Sequence, residues 1–339
     1  MKNLKFGVGI FASNHAEEAV DLAVLAEEAG YDTLWVGDSH MIWRELYVLM
    51  GCMAARTNRV WISPGVTQLI TRHSTVTASA LITLSELTGG RVQLGLGLGD
   101  SSVKNLGEKS TSLSTLKEGI ELIRRLCEGQ KVRMNDREGS VTFASGLKIP
   151  IYIASISDRV LDYAGRVADG VILTGDSAAL RSRIEAVRNA QQQTHRSIKD
   201  VKVVWWRACC ISEDDHEARE AVKPMVARGA LSELGRRAKH GQELNEEERE
   251  VLELLEKNYD FYHHMGPEHS RWIPDGWVDR YALAGSPTRV LARIQEMLQE
   301  GQEGIDEIAI IPFAMDRKAV VKLFSEGVIK ALKGDHEIG

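Results

Sequence analysis

Short apolar runs recur along the chain, and each is followed by a stretch in which apolar residues return every three or four positions. The first run covers 6–11. The helical spacing that follows it, Val20, Ala23, Val24 and Ala26 to Ala29, stops at Gly30, a residue type suited to a helix end. Residues 33–36, 60–63 and 92–96 predict the next three strands, with helices at 44–55 and 74–87 between them. These units succeed one another at intervals of roughly 30 residues, the length of a strand–helix repeat.

The pattern resumes after a longer break. Residues 113–127 predict a helix, and 131–143 alternate around Asn135-Asp136-Arg137-Glu138-Gly139 as an inserted β-hairpin does. Strands five to seven are predicted at 151–154, 171–174 and 201–211, with helices at 158–167 and 178–192. An eighth strand at 305–311 precedes a closing helix at 318–332. Between strands seven and eight, residues 213–278 are helix-prone, strongly charged and without a convincing strand. Alternation of this kind predicts a single α/β domain over 1–339, a (β/α)8 TIM barrel with a β-hairpin insertion and a helical lid at 213–278. The competing arrangement, a doubly wound sheet, needs fewer strands and a switch point that the pattern does not show.

Composition narrows the function. A chain of 339 residues with 43% hydrophobic content can bury a large core. A net charge of −6 argues against a nucleic-acid partner. No apolar run approaches the roughly 20 residues that cross a membrane, and the opening segment is too short for a secretion signal, so a cytoplasmic protein is expected. The four cysteines, at 52, 127, 209 and 210, have neither metal nor redox spacing; no metal site is predicted.

The barrel reading decides where chemistry is sought, because such folds gather their functional groups at the carboxyl ends of the strands. Strand three ends in Ser63-Pro64-Gly65-Val66-Thr67 and strand four in Gly95-Leu96-Gly97-Leu98-Gly99-Asp100. Backbone approaches a flat ligand most closely where side chains are absent, so these paired glycine corners suggest a wall for a ring system. An ordinary Pro-Gly turn is the plainer account of Gly65 and Val66. Asp38 and His40 end strand two, where a carboxylate can hydrogen-bond a ring substituent and an imidazole can carry a proton. Asp38 and Asp100 would equally serve as caps. Ala154-Ser155-Ile156-Ser157 and Thr174-Gly175 each join a strand to a helix, and their free N–H groups and hydroxyls suit a phosphate; Ser157 also fits a simple N-cap. Tyr259, Tyr262, His263, His264, His269, Trp272 and Trp277 cluster late in the lid segment, as a substrate-facing cover would, although packing between helix ends produces the same grouping.

Six stretches in order carry a resemblance: Ala29 to Asp38, Ser63 to Thr67 with Thr71-Arg72, Ala78 to Arg91, Gly95 to Asp100, Ala164 to Gly170, and Ala282 to Pro287. In these the chain resembles the bacterial luciferase-like superfamily of flavin- and deazaflavin-dependent oxidoreductases, most closely its methylenetetrahydromethanopterin reductase branch. The resemblance implies hydride transfer between coenzyme F420, an 8-hydroxy-5-deazaflavin, and a small organic substrate. The alternatives are an FMN-dependent monooxygenase and a non-catalytic flavin-binding protein. It further implies a non-prolyl cis peptide at Gly65-Val66 in the ring wall, completed by Thr67, Gly97 and Gly99. Asp38 would orient the ring, Asp100 would lie beside the reacting carbons, and the phosphate would dock chiefly on Ser155-Ile156-Ser157. A homo-oligomer, dimer or higher, is implied as well. Two positions depart from the pattern: Ser39 separates Asp38 from His40, and Gly9 stands where the reductase has a glutamate, so the pterin reaction is not implied.

Overall fold

The computed structural model describes residues 4–263, 266–299 and 304–334. Strands β1 (Lys5–Ile10), β2 (Thr33–Val36), β3 (Trp61–Pro64) and β4 (Leu94–Leu96) are followed by the two-stranded hairpin β5 (Val132–Met134) and β6 (Arg137–Gly139). The chain continues through β7 (Ile151–Ala154), β8 (Gly170–Leu173), β9 (Lys202–Ile211), β10 (Ala282–Gly285) and β11 (Glu307–Pro312). Neighbours run in the order β3, β2, β1, β11, β9, β8, β7, β4, and bridges from Ile62 to Val92 and from Thr67 to Leu96 join the two ends. All of these pairings are parallel, so the eight strands form the expected TIM barrel.

Strand residues alternate between two cores, as the period of two requires. Leu34 and Val36 point outward into the layer shared with the helices, whereas Trp35 joins Ile172, Val204 and Ala309 inside the barrel. The outer helices include Ala16–Glu28, Leu46–Arg56, Ser74–Thr88, Leu113–Cys127, Asp158–Val167 and Ser177–Gln193. No helix among the described residues is long and apolar enough to cross a membrane.

The segment between β9 and β11 holds the main departure. Its principal elements are the helices Asp215–Lys239 and Glu246–Asn258. Ala218, Val222, Val226, Ala230 and Leu234 recur on one buried face of the longer helix, which packs on β9 and β10. A strand at 282–285 was not expected. Ala282-Leu283-Ala284-Gly285 has little intrinsic strand preference, and it extends because the upper half of β9 offers free ladder groups: Ala282 registers with Ala208 and Gly285 with Ile211. A short helix, Ser101–Lys104, likewise follows β4 where none was predicted.

Candidate functional site

The carboxyl ends of the barrel strands enclose a cavity of about 480 Å³, within the range of small-molecule and cofactor sites. The helix Asp215–Lys239 covers it, contributing Met225, Arg228, Gly229, Ser232 and Glu233.

One corner is nearly flat. Gly65 N–H donates to Val36 O, Thr67 N–H to Gly95 O, and Gly97 N–H to Thr67 O, at 2.6, 3.0 and 2.9 Å, so residues 65–67 are stitched between β2 and β4. The Gly65-Val66 peptide is cis. A methyl group on Gly97 would come within 2.8 Å of Val66 Cγ2, and one on Gly65 within 2.7 Å of both Trp35 and Trp206; glycine is what lets these surfaces close on one another.

Asp38 faces this corner from the end of β2 and is buried. Its Oδ2 accepts hydrogen bonds from Thr67 Oγ1 and Arg72 Nη1, both at 2.6 Å. Arg72 is itself anchored by Glu45 and lies over the Tyr47 ring. Since both contacts fall on Oδ2, Oδ1 remains available to a ligand. Beside it, Ser39 Oγ meets Ser101 Oγ at 2.6 Å and ties the ends of β2 and β4 together.

His40 is exposed and does not line the cavity. The N–H groups of Ile42 and Trp43 both donate to Ser39 O at 2.8 Å, a tight turn that throws residue 40 outward and brings Trp43 back into the wall. Trp43 stacks on Phe11 at a centroid distance of 4.3 Å. It is a lining residue that the sequence reading passed over.

Asp100 lines the cavity mouth, where it receives Arg228 Nε at 2.9 Å and Lys104 Nζ at 2.8 Å. Partial burial works to raise its pKa, but the two cations outweigh that effect and hold it down at about 2. Near neutral pH this carboxylate is an ion-pair partner of the covering helix and a poor carrier of protons.

The opposite end of the cavity is built from Ala154, Ser155, Ile156, Thr174 and Gly175. Ser157 does not line it; its N–H donates to Ser155 Oγ at 3.0 Å at the start of the helix Asp158–Val167. Arg207, 2% exposed, closes this end. Its guanidinium donates to backbone carbonyls, Gly175 O at 2.9 Å and Arg280 O at 2.8 Å among them, while Nε has no hydrogen-bond partner among the described residues. Burial, with Arg293 nearby, pulls its pKa down to about 9. Among the described residues the other charges in the wall are matched: Asp38 by Arg72, Asp100 by Arg228, and Glu233 by Arg183 and Arg236. Arg207 forms no ion pair among the described residues, although Asp176 and Asp279 attract it from farther off. A lone arginine inside the apolar run Val203 to Ile211 was the signal that could have singled it out.

None of the described members of the aromatic and histidine cluster lines this cavity. Tyr259 stacks on buried His269 at 4.3 Å, Asp260 N–H donates to His269 Nε2 at 3.1 Å, and Trp277 Nε1 donates to Glu247 at 2.9 Å. These contacts hold the lid segment together, while Tyr262 is exposed and His269 Nδ1 is left without a partner among the described residues. His264 lies outside the described residues.

Comparison with known proteins places this geometry in context. The sequence profile described as luciferase-like monooxygenase matches residues 4–303. A 5,10-methylenetetrahydromethanopterin reductase of Methanolobus tindarius is 28% identical, over 96% of this chain and 100% of its own. An F420-dependent glucose-6-phosphate dehydrogenase of Amycolatopsis mediterranei is 26% identical, over 93% of this chain and 94% of its own. Among solved structures, the coenzyme F420-dependent tetrahydromethanopterin reductase of Methanopyrus kandleri superposes with a TM-score of 0.80 at 21% identity, covering 97% of this chain and 99% of its own.

Proposed function

Because the chain belongs to the luciferase-like monooxygenase family, we propose that it is a cytoplasmic F420-dependent oxidoreductase acting on a small organic substrate. The observation that carries this reading is the polarity of the cavity. One end is a glycine-walled corner beside a carboxylate, and the other is a set of hydroxyls closed by a buried guanidinium that forms no direct ion pair among the described residues. A ligand with a flat ring and an anionic tail fits both ends at once; the full-length likeness to F420-dependent enzymes favours the deazaflavin over FMN.

When bound, such a cofactor supplies the hydride chemistry. The chain's own groups do the rest. Val66 and the backbone of Gly65, Thr67, Gly97 and Gly99 would support one face of the ring, with Asp38 Oδ1 accepting from its polar edge. Ser155, Ile156, Thr174 and Gly175 would hold the tail, and Arg207 would offset its charge. Asp100 would act near the reacting centre by fixing the covering helix through Arg228, which excludes water from the cavity. Strand β1 brings no carboxylate: Gly9 faces Ile311, whose Cγ1 would lie 3.1 Å from a methyl group there. Homo-oligomer formation belongs to the same reading, through the adjacent helices Leu46–Arg56 and Ser74–Thr88, which expose Val48 and Val76.

Titration of the purified protein with F420 and, separately, with FMN tests the proposal. Micromolar binding of F420, followed by substrate-dependent change in its oxidation state, is the expected result. Binding of FMN alone, with oxygen consumption once it is reduced, would overturn it in favour of a monooxygenase.

A further inference from the structure

Inside the barrel and below the cavity sits a carboxylate that the site described above does not use. Glu307 opens β11 and is 5% exposed. Its Oε1 accepts from Trp35 Nε1 at 2.7 Å and its Oε2 from Thr33 Oγ1 at 3.1 Å. Room for it exists because β1 carries glycine at the neighbouring position; a methyl group on Gly7 would collide with Oε1. A buried acid in an otherwise apolar interior calls for a reason.

The reason lies along Trp35. The indole is 0% exposed and meets Tyr152 and Trp206 edge-on, at centroid distances of 5.6 and 6.0 Å. Above it are the Gly65 corner of the cavity and strand β4: a methyl group on Gly65 would lie 2.7 Å from Trp35 Cβ, and one on Gly95 3.1 Å from Cζ3. Trp206, which lines the cavity, touches Gly65 from the other side. One rigid aromatic body therefore links the carboxylate in the barrel floor to the wall at Gly65 and Val66.

We propose that Glu307 is a positioning residue for the cofactor: its ionised carboxylate fixes Trp35, Trp35 supports the Gly65–Val66 wall, and protonation of Glu307 loosens that wall and weakens ring binding. The inference rests on the reading of the cavity as a deazaflavin or flavin site.

The groups facing Glu307 define its titration. Thr33 and Trp35 on β2 donate to it, Lys5 on β1 attracts it, Asp32 before β2 repels it, and Tyr152 on β7 lies close by. Asp306 is turned to Lys202. Burial dominates and raises the pKa to about 7, against the opposing donors. Both forms are therefore populated near neutral pH. The ionised form accepts both donors with charge assistance, and the protonated form loses that assistance on the indole bond.

The test measures F420 affinity from pH 6 to pH 8 for the wild-type chain, Glu307→Gln and Trp35→Phe, with FMN as a second ligand. Any dependence common to the three belongs to the ligand's own ionisation. Beyond it, the wild type should bind about fivefold more tightly at the upper pH, and both variants should lose that increment. A wild-type pH profile retained in either variant overturns the inference while leaving the cofactor reading intact. If Glu307→Gln does not fold, Trp35→Phe decides alone: it removes the N–H that Glu307 accepts and also shrinks the ring, so loss of the pH-dependent increment, and not a uniform loss of affinity, is the outcome that supports the inference. Absence of binding of either ligand to the wild type would instead sink the cofactor reading beneath it.

Discussion

At the scale of single residues, the cavity separates charges that are already matched from one that is not. Asp38, Asp100 and Glu233 each face an arginine, so a ligand gains little by approaching them as a salt bridge. Arg207 is buried, donates to backbone carbonyls and forms no ion pair among the described residues, Asp176 and Asp279 acting on it only from farther off, so an anionic tail would meet a charge with no salt bridge to break. Arg207→Gln should weaken F420 binding by about tenfold or more and leave the phosphate-free ring alcohol, 8-hydroxy-5-deazariboflavin, within about twofold. Fluorescence titration with the two ligands reads the difference. Equal losses for both would mean that the arginine only packs the wall.

Among the elements, the covering helix matters most. Its buried face docks on β9 and β10, but its connection across the mouth runs through Arg228 to Asp100, just beyond β4. Lys104 and Arg228 both lie over the Phe261 ring, and Tyr262 Oη donates to Asn105 O at 3.1 Å, so the far end of the lid segment is tied to the same short helix. Asp100→Asn and Arg228→Gln should each lower turnover more than cofactor affinity, because both release this closure and neither touches the ring wall. As one contact serves both residues, the double variant should be little worse than either single one, with a coupling of at most about 1 kcal/mol for so exposed a pair. Steady-state kinetics beside cofactor titration would show it, and fully additive losses would count against a shared closure.

For the whole molecule, the buried Glu307 makes stability depend on pH. Its folded-state pKa is raised from 4.5 to about 7, so the folded chain holds this proton more tightly than the unfolded chain. Its contribution is fully present below pH 4.5 and is lost as pH rises through about 7, a loss of roughly 3 kcal/mol. Urea denaturation of the wild type and Glu307→Gln should therefore show the variant gaining relative stability from pH 5 to pH 8. A difference between the two that stays constant with pH would contradict the assignment. The same ionisation that costs stability is the one proposed to hold Trp35, which places the trade between stability and binding in one carboxylate.

The alternation of apolar runs and helical spacing determined the barrel, because strand and helix periods are local properties that survive without tertiary knowledge. The strand-end glycines, Asp38 and the serine-bearing loops were legible for a related reason: the fold sends all carboxyl ends of its strands to one face, so position along the chain nearly fixes position in the cavity. Only the tertiary structure decided the rest. The outward turn at Ser39 removed His40 from the cavity and put Trp43 in it. Partners distant in sequence turned Asp100 into an anchor for the lid, 128 residues from Arg228, and gave Glu307 its tryptophan across 272 residues. Likewise β10 is a strand because β9 offers it a ladder. Charge pairing, burial and edge pairing each depend on which groups meet in space, and no local pattern carries that information.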